Sequence, residues 1–148
     1  MTDPATASVM LNAAKIGVDL LTKAISFNAD KNKRIDEFKN LIKSHVLFGF
    51  YESWKIFSQT VGTKYSPDTD NLLREYAQLY IQVIIQGSEM LPDDLKEKLE
   101  EFAKRMIIKT KQLKVGTFSD AYRDIDKLAE EVYKVYKNFD DYQFRAKP

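Results

Sequence analysis

No cysteine occurs among the 148 residues. Disulfides, thiolate metal sites and cysteine nucleophiles are therefore excluded, and a reducing compartment is suited. Histidine is nearly as scarce. His45 is the only one, so a His-pair metal site cannot form and any Ser–His triad would have to run through it. The five glycines are scattered. They supply neither the GxxxxGK[ST] of a phosphate loop nor the GxGxxG of a dinucleotide fold. GxSxG is missing as well, and so are the paired Glu-x-x-His helices of a di-iron bundle. No apolar run reaches the roughly 18 residues of a transmembrane helix, and the N-terminus has no basic lead before an apolar core. A cytoplasmic protein without stable membrane insertion is expected. Net charge is +1, which gives no global pull toward nucleic acid. Strict apolar–polar alternation, Asn-Gly and Asp-Gly hairpin turns and internal repeats are all missing, so strands are not expected.

What is there is apolar and aromatic. Hydrophobic residues make up 44% of the chain and charged ones 30%, with nine Phe, eight Tyr and one Trp to build a core. One stretch, 35–61, gathers the only His, the only Trp and a dense cluster of aromatics. On a helix, Ile35, Phe38, Leu41, Ile42, His45, Val46 and Gly49 form one stripe. Phe50, Trp54, Phe57 and Val61 form a second, turned by about 100° from the first. Between them VLFGFY is apolar on every side, as buried helices are. This stretch is expected to be the central helix, either continuous or bent at Gly49, where the missing Cβ favours a kink.

The remaining chain reads as helices joined by short connections. Asp3-Pro4 opens a first amphipathic helix to about Phe27, whose Ala13, Ala14 and Gly17 would allow close packing. Asn28–Lys33 and Gly62–Tyr65 are connections. Ser66-Pro67-Asp68 is the clearest helix start. The helix it opens runs to about Gln86, with Leu72, Leu73, Tyr76, Tyr80, Val83 and Ile84 inward and Arg74, Gln78, Gln82 and Gln86 outward. Pro92 opens the next, with a narrow stripe of Leu95, Leu99, Phe102, Met106, Thr110 and Leu113. Thr117 and Asp120 resemble a capping box before the last helix, which buries Phe118, Ala121, Tyr122, Ile125, Leu128, Val132, Val135, Tyr136 and Phe139. The expectation is an all-α, single-domain antiparallel bundle over 1–139, with five helices, or six if Gly49 breaks the central one, and a C-terminal tail over 140–148.

Chemistry finds little to stand on. His45 has core-like helical neighbours and no carboxylate, so it reads as a core-edge residue. Asp93-Asp94, Glu100-Glu101 and Asp140-Asp141 read as solvated acids at helix ends or on exposed faces. No cofactor or metal is expected, and no catalysis. The expected function is association with another protein, or with a second copy, through a helix face. Ile107 and Ile108 are its candidate contacts, because Ile108 falls on the outward face between lysines and Ile107 on the margin of the apolar stripe, unless another helix covers them; Tyr142 and Phe144 of the tail are the others, and these, like Tyr133, could dock on the bundle instead. The alternative is a nucleic-acid-binding subunit using Lys104, Arg105, Lys109, Lys111 and Lys114 at the end of the fourth helix. The helix dipole explains that charge equally well.

Overall fold

The structure, a computed structural model, describes residues 19–20, 31–61, 67–115 and 118–145, without the side chains of 31–34, 60, 61, 113–115, 118 and 119. These residues are helical or in short turns, with no strand among them. A first rod comprises α1 (Lys31–Leu41), a π-helical segment (Ile42–Leu47) and α2 (Phe48–Val61). It is followed by α3 (Pro67–Gly87), α4 (Asp93–Val115), α5 (Phe118–Lys137) and a 3-10 turn (Phe139–Asp141). The first rod begins at Lys31, inside the expected connection. The expected first helix, Asp3–Phe27, lies outside the described residues except for the helical pair Asp19–Leu20. Ser66 and Thr117, the expected caps, also lie outside them.

The central stretch does carry an irregularity, but it lies upstream of Gly49, as a π-helical segment over Ile42–Leu47. The backbone stays helical on both sides of the π segment, at Leu41 (φ −60°, ψ −49°) and Phe48 (φ −66°, ψ −35°), and the Phe48 amide donates to the Lys43 carbonyl, five residues back. The apolar spacing explains it. Phe38, Ile42, Val46, Phe50 and Trp54 advance by four residues at each step. Four residues overshoot one α-helical turn by about 40°, so in a regular helix this stripe would walk around the rod. The wider π turn takes up the excess. Phe38 and Trp54 thereby reach one core, and both are fully buried.

The rod is packed on two sides. Against α3 it presents Val46, Gly49, Phe50 and Ser53. The Tyr80 hydroxyl donates to the Val46 carbonyl at 2.9 Å, and the Tyr76 hydroxyl donates to the Gly49 carbonyl at 3.1 Å. Against α5 and the 3-10 turn that follows it, Lys43 meets Asp140 in the turn, and Phe48 meets Tyr136, Tyr51 meets Tyr133 and Trp54 meets Asp126 on α5, so partner numbers fall as rod numbers rise. Between α4 and α5, Arg105 meets Glu131 and Lys109 meets Asp124 in the same opposed order. The buried apolar side chains of the described residues form one cluster drawn from the rod, α3, Met90 and Leu91 of the following turn, α4, α5 and Phe139.

Most of the inward positions expected for α3, α4 and α5 are buried. Ile84, Tyr122 and Tyr136 are only half-buried, and the side chains of Leu113 and Phe118 lie outside the described residues. Gln82 and Gln86, expected outward, are half-buried, with the Gln86 amide donating to Gln82 at 2.8 Å. Gly87 ends α3, and it does more than end it. A Cβ there would overlap Cζ of the fully buried Phe38, so α1 and α3 touch at a point where any larger residue would have to displace the ring.

Candidate interaction faces

Lys104, Ile107, Ile108 and Lys111 recur at i, i+3, i+4 and i+7, which places them on one side of α4. That side is open. Ile107 is 36% and Ile108 50% exposed, and both lysines are exposed. The opposite side is sealed, because Leu95, Leu99, Phe102, Ala103 and Met106 fill the core and Thr110 closes its own hydroxyl on the Ile107 carbonyl at 2.6 Å. A pair of exposed isoleucines between two lysines is thus a feature of the folded surface. Helical phase sets Ile108 between the lysines; that no neighbouring helix among the described residues covers the pair is seen only in the fold.

The basic end of α4 is divided. The Arg105 guanidinium pairs with Glu131 at 2.6 Å and with Glu101 at 3.7 Å. The Lys109 ammonium donates to Asp124 and to Gln112, each at 2.6 Å. Its bond to Asp124 holds that carboxyl below the usual carboxylate range. These partly exposed pairs contribute a fraction of a kcal/mol each, about 0.2–1. Their effect on charge is larger, since two of the five expected cations already face carboxylates. Lys104 and Lys111 remain exposed, and the Lys114 side chain lies outside the described residues.

The tail is docked as far as it is described. Phe139 is buried, and Phe144 packs against Phe139 at 5.5 Å and edge-on against Phe38 at 6.1 Å. The Arg145 amide donates to the Met90 carbonyl at 2.9 Å. Its guanidinium reaches the Leu91 carbonyl at 3.3 Å and Asp93 at 2.6 Å. Tyr142 is half-buried, and burial pushes its hydroxyl above its ordinary pKa, with Asp94 and Asp141 adding to the shift. Tyr142 and Phe144 therefore spend their apolar surface on their own chain. The expected boundary at residue 140 does not coincide with any loss of packing through Arg145.

The face that sequence reading missed lies between α2 and α5. Phe48 and Tyr51 on α2, and Tyr133 and Tyr136 on α5, are each spaced i, i+3 and project from one side of their helix. Tyr51 stacks on Tyr133 with centroids 4.2 Å apart and planes 16° apart. Phe48 stacks on Tyr136 at 4.9 Å, and Tyr133 lies 5.7 Å from Tyr136. All four rings are half-buried. Lysines lie over three of them: Lys43 over Tyr136 at 5.9 Å, Lys55 over Tyr51 at 5.5 Å and Lys137 over Tyr133 at 5.0 Å. Lys55 also bonds Glu130 at 2.8 Å, which pushes its ammonium above its ordinary pKa. No local signal reveals this face, because each helix contributes only half of it and the register between helices is not local.

Below the rings, the buried Trp54 donates its indole N–H to Asp126 at 2.6 Å. Asp126 borders a shallow depression of about 600 Å³ on α5, with Arg105 and Glu131 at its α4 edge. The wall alternates acids and bases, the pattern of a solvated helix face. His45 sits half-buried in the π segment, at the core edge as expected. Among the described residues no three His, Asp or Glu side chains converge to hold a metal ion, and no helix is long and apolar enough to cross a membrane. Comparisons with protein-family models, curated proteins and solved structures found no match.

Proposed function

We propose that this chain is a non-catalytic binding protein that takes a partner protein on the open side of α4. The observation that carries the reading is the exposed Ile107–Ile108 pair between exposed Lys104 and Lys111. Isoleucine side chains left in water on a helix whose other apolar positions are sealed gain by being covered, at roughly 25 cal/mol per Å² of apolar area. The flanking charge selects what covers them. Two copies paired about the isoleucines in parallel would set Lys104 on Lys104 and Lys111 on Lys111. Paired antiparallel, they would set Lys104 on Lys111. Both arrangements oppose like charges, so self-association is disfavoured. The fitting partner is an apolar helix face flanked by carboxylates. We place this site on an antiparallel bundle of the five helices expected from the sequence. The opposed order of the rod–α3, rod–α5 and α4–α5 contacts supports that arrangement.

The test is retention of proteins from an extract of the source cell on immobilised wild type and on Ile108→Asp. A discrete protein held by the wild type should be lost by about tenfold or more on Ile108→Asp, an effect on the order of 1.4 kcal/mol. Far-UV circular dichroism should stay unchanged. Lys104→Glu should weaken the same complex. Equal retention by Ile108→Asp would sink the reading. A discrete homodimer in native mass spectrometry would overturn the choice of a different partner.

A further inference from the structure

The stacked rings between α2 and α5 carry an inference that does not depend on α4. A lysine on a flexible stem covers one face of Tyr51, of Tyr133 and of Tyr136. An ammonium over a ring marks a face that no apolar side chain has filled. The rings are half-buried, so part of each remains in water beside its lysine. The same lysines bring charge. Lys43 is shared with Asp140, whose side chain is 84% exposed, and Lys55 is shared with Glu130. Lys137 has no carboxylate within 4 Å among the described residues, and Lys39, one turn before Lys43, lies over the docked Phe144 at 5.7 Å. The row is a ladder of aromatic rings with ammoniums outnumbering their carboxylate partners.

We propose that this face binds single-stranded nucleic acid, with bases stacking on the open faces of Tyr51, Tyr133 and Tyr136 and with Lys43, Lys55 and Lys137 pairing with the phosphates. The two halves fit together. Each lysine that swings off its ring to meet a phosphate uncovers the surface on which a base stacks. Base–aromatic stacking with cationic tracking of the backbone is the general chemistry of single-strand binding. A duplex keeps its base faces stacked on each other and cannot use the ladder. An acidic peptide can satisfy the ammoniums but offers no flat surface for the rings. Charge and shape together therefore favour a single strand.

The test uses the full chain and a fluorescently labelled twelve-nucleotide oligothymidylate, read by anisotropy across a salt series. Binding should fall with salt at a log–log slope of about −2, the value for three neutralised phosphates on a single strand. Lys43→Glu combined with Lys137→Glu should weaken binding more than about tenfold and flatten that slope. Tyr133→Leu keeps an apolar side chain at the stack and should cost about tenfold with the oligothymidylate. With an abasic strand of equal length it should cost nothing. Ile108→Asp should leave all of this unchanged, which separates this face from the one on α4. Circular dichroism of each variant checks that the fold is kept. Three results would overturn the proposal: no binding at low salt, equal affinity for the abasic strand, or displacement of the oligonucleotide by polyglutamate at equal concentration. The last would give the face to an acidic protein.

Discussion

The two sides of the central rod use the same residue type in opposite ways. Toward α3, Tyr76 and Tyr80 are fully buried, and each hydroxyl ends on a backbone carbonyl of the rod. Tyr76 also shares a bond of 2.8 Å with Ser53; since its own proton goes to Gly49, Ser53 is the donor. Phe50 meets both rings edge-on, at 5.3 and 6.4 Å. Toward α5, Tyr51, Tyr133 and Tyr136 lie half-buried and stacked, under lysines. A buried hydroxyl without a partner costs about 1–3 kcal/mol, so a tyrosine can be sealed only where an acceptor is waiting. The rod supplies acceptors at Val46 and Gly49, and only α3 reaches them. The α5 side offers stacking instead, which leaves ring edges and lysines in water. The tyrosines are thus sealed on one side of the rod and half-exposed on the other.

The sealed side should break most severely at Gly87. A methyl there would overlap the Phe38 ring, and Phe38 is fully enclosed. Alanine would gain helix propensity of about 1 kcal/mol, but overpacking outweighs it. Gly87→Ala is expected to lose about 2–3 kcal/mol, a fall in Tm of about 5–10 °C for a chain of this size. The double variant Gly87→Ala with Phe38→Leu should recover part of that loss, because the methyl then has somewhere to sit. A full-sized loss in the double variant would show that the ring contact is not the cause. On the α5 side, Tyr133→Leu should cost far less, on the order of the 0.5–1.5 kcal/mol that a stacked aromatic pair adds.

The same contrast explains what could be read beforehand. Helical phase is local, so the buried stripes of α3, α4 and α5 and the outward phase of Ile108 follow from spacing, whereas the absence, among the described residues, of a covering helix over Ile107 and Ile108 does not. The turn between the two stripes of the rod was also visible, as a shift of about 100°. Its form was not, because consecutive four-residue steps from Phe38 to Trp54 spread the excess over several turns. A glycine at the end of that run offered the simpler explanation. Contacts between distant residues were out of reach: Phe38 on Gly87, Arg145 on Asp93 at 2.6 Å, and Tyr51 on Tyr133 at 4.2 Å. Each needs the relative register of two helices, and no periodicity encodes that. The docked tail follows from the same gap, since Phe144 reads as loose until Phe38 and Phe139 are known to meet it.

Alkaline pH should separate the two sides at intermediate cost. Burial pushes the Tyr80 hydroxyl well above its ordinary value of 10, with nearby Tyr76 adding to the shift, and burial raises Tyr76 as well. Unfolded, both ionise near 10. Their contribution is therefore complete below about pH 10 and is lost as pH rises beyond it, because the unfolded chain releases its protons first. Each tyrosine steepens that loss by up to about 1.4 kcal/mol per pH unit. Tyr80→Phe should cost about 1 kcal/mol at pH 7 through the lost bond to Val46. Above pH 10 that deficit should shrink, vanishing within about one unit. Urea midpoints at pH 7, 10 and 11 would show it. A deficit unchanged at pH 11 would mean that Tyr80 ionises as freely folded as unfolded.

The smallest effect should come from the residue that looked most like a hinge. A Cβ at Gly49 would stand 3.4 Å from the Ser44 carbonyl oxygen and 3.6 Å from the Tyr76 hydroxyl, at ordinary contact distance. The wide turn lies upstream, at Ile42–Leu47, and is imposed by the apolar spacing around it. Gly49→Ala should therefore be neutral or should stabilise by up to about 1 kcal/mol, the usual gain of alanine over glycine inside a helix. The Tyr76 hydroxyl should keep its bond to the residue-49 carbonyl, since the methyl meets it without overlap. A loss above about 1 kcal/mol would reverse the account, because alanine's helix propensity works in the stabilising direction. It would mean that the π turn depends on backbone freedom at Gly49 after all, and that the sealed side tolerates the tyrosines only because nothing projects between them.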